Sequence, residues 1–242
     1  MPNIFKLMKR SKNAPACTAV IAAAGSSRRM GGGDKLFAEL HGAPVLAYTL
    51  MAYQKCALID EIIVVARADA LTDVSALCEK YRITKAVKVI VGGETRLLSV
   101  LNGIYAVEEK AELVAIHDGA RPCVDSATII RAIEAAMRHH AAAPAIPVSS
   151  TVKRARDGII SETVDREGLY EMQTPQVFDK DLIKAALTNA KNKSVDVTDD
   201  CQAVEMLGCP VHITEGTREN IKITTSSDLR VAEAFLAERD GA

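Results

Sequence analysis

Three short segments of this 242-residue chain combine small residues with charge in a way that suits binding of a phosphorylated ligand. The first reads Ala22-Ala23-Ala24-Gly25-Ser26-Ser27-Arg28-Arg29-Met30-Gly31-Gly32-Gly33-Asp34-Lys35. Small side chains let backbone N–H groups approach an anion closely, and Arg28, Arg29 and Lys35 supply positive charge to the same loop. It has no Gly-Lys-Ser/Thr of a Walker loop and no Gly-x-Gly-x-x-Gly fingerprint. The second, Gly92-Gly93-Glu94-Thr95-Arg96-Leu97-Leu98-Ser99, suits backbone contact with a planar base or a phosphate, or equally a plain turn and helix cap. In the third, His117-Asp118-Gly119-Ala120-Arg121-Pro122, the Asp can face a metal-bound phosphate, while Arg121 can clamp substrate or pair with that Asp.

Such loops need elements that hold them. Apolar runs rich in β-branched residues at 18–24, 62–66, 87–91, 113–116, 143–148 and 211–214 predict strands buried on both faces. Helical stripes alternate with them: Val45, Leu46, Thr49, Leu50 and Tyr53; Val74, Leu77, Cys78 and Tyr81; Leu97, Val100, Leu101 and Ile104; Ile129, Ile130, Ile133 and Met137; Leu229, Ala232, Phe235 and Leu236. This alternation predicts a single doubly wound, mostly parallel α/β sheet of Rossmann-like type, and ligands on such sheets bind beyond the carboxyl ends of the strands. All three loops follow predicted strands. The stretch 149–170 breaks the rhythm, with polar, alternating residues on either side of Asp157-Gly158. That predicts a β-hairpin, either a projecting arm that pairs with a second subunit or a hairpin lying on its own domain. Thr198-Asp199-Asp200 reads as a helix N-cap with acids in the first turn, and Asn220-Ile221-Lys222-Ile223-Thr224 as a strand-like run carrying one Lys.

Composition narrows the class. Lys+Arg 30 against Asp+Glu 31 gives a net charge of −1, against a dedicated nucleic-acid binder. Six scattered cysteines without a Cys-x-x-Cys pair predict free thiols in a reducing compartment rather than a zinc site. No apolar run approaches the ~18 residues of a membrane span, and we expect a cytoplasmic protein. Residues 1–16 read as a basic tail ahead of one domain over 17–242. His41, His139, His140 and His212 show no metal-ligand spacing and are expected at the surface.

The ordered set Ala23-Ala24-Gly25-x-x-Arg28-Arg29-Met30, Lys35, Gly92-Gly93-x-x-Arg96-x-x-Ser99-Val100, His117-Asp118-Gly119-Ala120-Arg121-Pro122, Thr174-Pro175-Gln176, Thr198-Asp199-Asp200 and Asn220-Ile221-Lys222 resembles the 2-C-methyl-D-erythritol 4-phosphate cytidylyltransferase family. The resemblance implies transfer of CMP from CTP to the sugar-alcohol phosphate, with Mg2+ or another divalent cation, in non-mevalonate isoprenoid precursor synthesis. It implies a nucleotidyltransferase sheet and a homodimer that exchanges the 149–170 arm. Arg29 and Lys35 would stabilise charge on the triphosphate, and Arg166 and Lys222 would position the acceptor phosphate. Arg166 would arrive from the partner's arm together with Thr151 and Thr174. Ala23, Ala24, Gly25, Arg28, Gly93, Glu94 and Ser99 would surround the nucleotide, with Asp118 near the metal and Arg121 near the sugar. Ala22, Ser27 and Glu94 stand where the family commonly has Pro, Gly and Asp. Alternatives are a cytidylyltransferase for another polyol phosphate, such as ribitol 5-phosphate, and a non-catalytic nucleotide-binding regulator.

Overall fold

The computed structural model describes residues 14–25 and 34–240. Arg28, Arg29 and Ser27 lie outside the described residues, as does the basic tail apart from residues 14–16. In chain order the elements are β1 (Cys17–Ala23), β2 (Glu39–Leu40), β3 (Ala43–Pro44), α1 (Val45–Lys55), β4 (Glu61–Ala66), α2 (Leu71–Lys80), β5 (Ala86–Val91), α3 (Arg96–Ala106), β6 (Leu113–Asp118) and α4 (Ser126–His139). They continue as β7 (Ala141–Pro147), β8 (Val152–Arg156), β9 (Ile159–Val164), β10 (Tyr170–Met172), β11 (Gln176–Asp179), α5 (Lys180–Asn192), α6 (Asp200–Glu205), β12 (His212–Glu215) and α7 (Ser226–Asp240).

The central sheet runs β7-β11-β6-β1-β4-β5, with β10 and β12 also paired to β7. β6, β1, β4 and β5 are mutually parallel, whereas β10 and β11 are antiparallel to their neighbours. Successive residues of a strand face opposite sides, so each central apolar strand feeds two cores. On β1, Ala19, Ile21 and Ala23 join the layer containing Leu46, Leu50, Tyr53, Ile129 and Leu236. Val20 between them joins the layer of Val100, Leu101, Ile183, Leu187 and Val204. The predicted doubly wound architecture is therefore present, with α1, α2, α4 and α7 on one face and α3, α5 and α6 on the other. All six cysteines are free thiols, five of them buried.

The strand-to-site relation follows from register. Ala22 of β1 pairs with Asp118 of β6, Ala23 with Ala66 of β4, and Ala66 with Val91 of β5, so the predicted loops leave the sheet side by side. β11 inserts antiparallel with Gln176 opposite Ile116; extending that register two residues brings Thr174 beside Asp118.

Asp157 and Gly158 take φ of 51° and 79°, the paired left-handed turn that suits a tight hairpin between β8 and β9. These two strands form a sheet of their own, and Ile159 and Ile160 on it are 73% and 61% exposed. Two expectations about the elements change. β5 and β12 are not buried on both faces, with Val87, Val91 and Ile213 exposed, because each is paired on one side only; and 220–224 is not a strand. Ile223 is fully buried, but its N–H bonds to Ala120 O at 2.8 Å rather than into a ladder, so the segment is an irregular strap over the end of β6. Among the described residues no helix is long and apolar enough to cross a membrane.

Candidate active site at the strand ends

The glycine loop after β1 and the loop after β5 lie in contact. Gly92 N–H bonds to Ala66 O at 2.8 Å, which places its α-carbon against the first loop. A Cβ on Gly92 would lie 2.4 Å from Ala24 Cβ and 2.8 Å from Ser99 Oγ, so only glycine allows this approach. Ser99, in the first turn of α3, is buried; its hydroxyl accepts from Gly93 N–H at 3.0 Å and donates to Thr95 O at 2.8 Å. Thr95 caps α3 by accepting from Leu98 N–H. Ser99 thus braces the loop from below, while Glu94 is exposed at its rim. Lys35 is half-buried in the turn following the first loop. That turn is fixed by Phe37 and Ala38 N–H donating to Asp34 O and by Arg67 Nη1 donating to Asp34 Oδ2 at 2.7 Å.

Asp118 is the centre of charge. It ends β6 with 8% exposure and takes Lys222 Nζ at 2.8 Å on Oδ2, with Arg121 Nε at 3.7 Å from the same oxygen and Arg96 Nε at 3.7 Å from Oδ1. Burial opposes ionisation, but Lys222, Arg96 and Arg121 together hold the carboxyl well below the usual carboxylate range. The strap brings Lys222 here: Arg121 Nη1 donates to Asn220 O at 2.6 Å, and Asn220 Nδ2 donates to Thr174 O at 2.9 Å. Arg121 is 9% exposed and pairs with both Asp118 and the strap.

Thr174, expected to arrive with the partner's arm, instead lies buried in this chain's own site, where it and His117 form the floor. Asp118 N–H donates to Thr174 Oγ1 at 3.2 Å, and the same hydroxyl shares a hydrogen bond with His117 Nδ1 at 2.8 Å. The His117 ring lies 4.9 Å from that of Tyr53. Burial pushes His117 down to about 3, mainly by desolvation. Because the unfolded chain binds this proton near pH 6.5 and the folded chain does not, the stability His117 contributes is present above about pH 6.5 and lost as pH falls toward 3. His117→Asn keeps a hydrogen-bonding group near Nδ1 but has no proton to gain. Its melting temperature is expected to fall less than the wild type's between pH 6.5 and 4.5 in calorimetry; parallel slopes would contradict the assignment.

Two residues that local pattern alone does not single out complete the cluster. Arg96 donates to both oxygens of Asp200, at 2.9 and 2.6 Å, and Asp200 is fully buried. The expected cap falls one residue later than the pattern suggests: Asp199, rather than Thr198, caps α6 by accepting from Gln202 N–H, and Gln176 Oε1 accepts from Asp200 and Cys201 N–H. In contrast, Thr151 and Arg166 are exposed at the base of the arm, and the Arg166 guanidinium donates to Ser149 O rather than joining the Asp118 cluster. A cleft of about 620 Å³ between α2 and β5, lined by Cys78, Arg82 and Lys88, contains none of the predicted site residues. The four histidines expected at the surface are exposed, with His139 and His212 stacked at 3.6 Å.

A doubly wound sheet whose glycine loop follows the first strand, with cations gathered around a carboxylate at the end of a neighbouring strand, defines an α/β nucleotidyltransferase. Comparison with known proteins narrows the class. The sequence model of the family described as 2-C-methyl-D-erythritol 4-phosphate cytidylyltransferase matches residues 17–238. Proteins of that name from Halalkalibacterium halodurans and Syntrophus aciditrophicus are 41% and 43% identical, covering 91% and 94% of this chain and 97% and 98% of theirs. The crystal structure of 4-diphosphocytidyl-2C-methyl-D-erythritol synthase from Anaerococcus prevotii superposes with a TM-score of 0.81 at 35% identity, over 93% of this chain and 99% of that one. The chain belongs to the 2-C-methyl-D-erythritol 4-phosphate cytidylyltransferase family.

Proposed function

We propose that this chain transfers CMP from CTP to 2-C-methyl-D-erythritol 4-phosphate, giving the CDP-linked product and pyrophosphate for isoprenoid precursor synthesis. The observation that carries this reading is the Asp118–Lys222–Arg96 cluster, seated beside two glycine loops in a chain of this family. An oxygen of the acceptor phosphate attacks the α-phosphorus in line, a P–O bond forms, and the bond to the oxygen leading to the β-phosphorus breaks. Charge spreads over equatorial and leaving oxygens, so fixed cations and positioning dominate the catalysis. Lys35 and Arg29 hold the triphosphate charge, and Arg28 lies along the same loop. Ala23, Ala24, Gly25 and Gly93 let the nucleotide approach the backbone, with Glu94 at the rim and Ser99 fixing the loop. Lys222 meets the acceptor phosphate, and Arg121 and Thr174 set the position of the strap that carries it.

The donor set suits a divalent cation held mostly by the triphosphate. Among the described residues no group of three or more His, Cys, Asp or Glu could hold a metal, and Asp118 offers a single carboxylate at the strand ends. Mg2+ commonly binds through one or two carboxylates plus substrate phosphates, and bound here it would offset phosphate charge.

Residues 17–242 act as one transferase domain, with 149–170 as an arm that brings Thr151 and Arg166 to the site of a second subunit. Exposed Ile159 and Ile160 support the arm's docking on another copy. Replacing both with Ser is expected to shift a sedimenting dimer toward monomer and to lower activity with it. A wild type that sediments as monomer at micromolar concentration would remove the arm's purpose. Pyrophosphate release measured with CTP and methylerythritol phosphate or ribitol 5-phosphate, with and without Mg2+, tests the whole reading. Release is expected with the first acceptor and Mg2+. Preference for ribitol 5-phosphate would reassign the acceptor, and CTP binding without release would indicate a regulator.

A further inference from the structure

We propose that Asp200 is a positioning residue for the transfer, acting through Arg96 on Asp118 and hence on Lys222. The proposed chemistry does not otherwise use this buried carboxylate. Its two oxygens take the two terminal nitrogens of Arg96, and the remaining Nε of the same guanidinium faces Asp118 Oδ1 at 3.7 Å. A planar guanidinium gripped on one edge by a carboxylate is fixed in orientation as well as in place. Asp118 thereby keeps Oδ1 toward Arg96 and presents Oδ2 to Lys222 at 2.8 Å.

The far end of this strut is equally well anchored. Gln176 on β11 accepts from Asp200 N–H at 2.9 Å and donates through Nε2 to Asp199 Oδ2 at 2.8 Å, tying the start of α6 to the strand beside β6. Burial works against the Arg96 guanidinium, yet Asp200, with Asp118 and Asp199, holds it above its ordinary value. Burial raises the Asp200 carboxyl above its ordinary value, and Arg96 opposes that rise. The strut therefore runs from the helix layer to the carboxylate that parks Lys222, and its length fixes where that ammonium awaits the acceptor phosphate.

The inference rests on the reading that Lys222 binds the acceptor phosphate, so Lys222→Ala is measured beside Asp200→Asn. Asn keeps the shape of the side chain but gives up the charge and one of the two acceptors. Asp200→Asn is expected to lower kcat/KM for methylerythritol phosphate at least tenfold, per mole of folded enzyme. The dissociation constant of CTP, measured by calorimetry on the full chain, is expected to stay within threefold of wild type. Arg96→Lys, which keeps the charge without the two-pronged grip, should reproduce this acceptor-specific defect and stands in if Asp200→Asn folds poorly. The double variant should be no worse than the worse single one. A wild-type acceptor kcat/KM in both single variants, equal losses for CTP and acceptor, or defects that multiply would overturn the strut. An acceptor KM unchanged in Lys222→Ala would overturn the underlying reading and the strut together, whereas a raised KM there with a normal Asp200→Asn would overturn the strut alone.

Discussion

Asp118→Asn is expected to lower kcat/KM for the sugar phosphate by at least about a hundredfold, roughly 3 kcal/mol of transition-state stabilisation. The substitution preserves volume, so the loss is one of charge. Lys222, Arg96 and Arg121 all lie within 4 Å of the carboxylate, and without it three cations face one another at the end of β6. Lys222 then loses the anchor that places it, and the strap at 220–223 keeps only its backbone and Asn220 ties. Removing one partner of a buried ion pair costs about 3–5 kcal/mol where both charges are dry. The Lys222 side chain is 39% exposed, so water shares its charge and the stability loss should be smaller, about 1–3 kcal/mol. Thermal unfolding and steady-state kinetics on the same preparation separate the two effects. A variant with wild-type kcat/KM for the acceptor would remove Asp118 from the centre of the site.

Lys35→Ala is expected to slow turnover at saturating CTP by about 30- to 1000-fold, equivalent to about 2–4 kcal/mol, the scale of a lost donor to developing transition-state charge. The position of Lys35 supports this size of effect. The side chain leaves the turn at 34–38, directly after the glycine loop, and that turn is pinned by the Asp34–Arg67 ion pair at 2.7 Å. A cation presented from a fixed turn has little reorganisation to undergo when charge grows on the triphosphate. CTP affinity should change less than kcat, because in the proposed reading Arg29 and a divalent cation would share the ground-state triphosphate charge. Single-turnover measurement at saturating CTP checks this, and an unchanged rate there would exclude Lys35 from the chemical step.

Much of this architecture is legible in the sequence, because the relevant physics is local. Doubly apolar runs such as 18–24 and 113–116 can only be strands with cores on both sides, and the observed β1 and β6 divide their residues between two layers accordingly. Asp157-Gly158 specifies its own turn, and the helix start at 198–200 is legible although its capping residue is not. α5 carries a stripe as clear as the others, in Ile183, Ala186, Leu187 and Ala190. β10 and β11 are only three and four residues long and give no such pattern.

What the sequence could not determine is which charges meet. Asp199 and Asp200 are adjacent and look alike as first-turn acids, yet one caps its helix and the other turns inward to Arg96, 104 residues earlier in the chain. The run around Lys222 has the apolar alternation of a strand, but it pairs with no strand of the sheet. It becomes a strap whose Lys reaches Asp118. Residue type sets what each side chain can do within a turn or two of its own backbone. Partners far apart along the chain are chosen by the order in which the strands pair, and that order places the ends of β1, β5, β6 and β11 around one carboxylate.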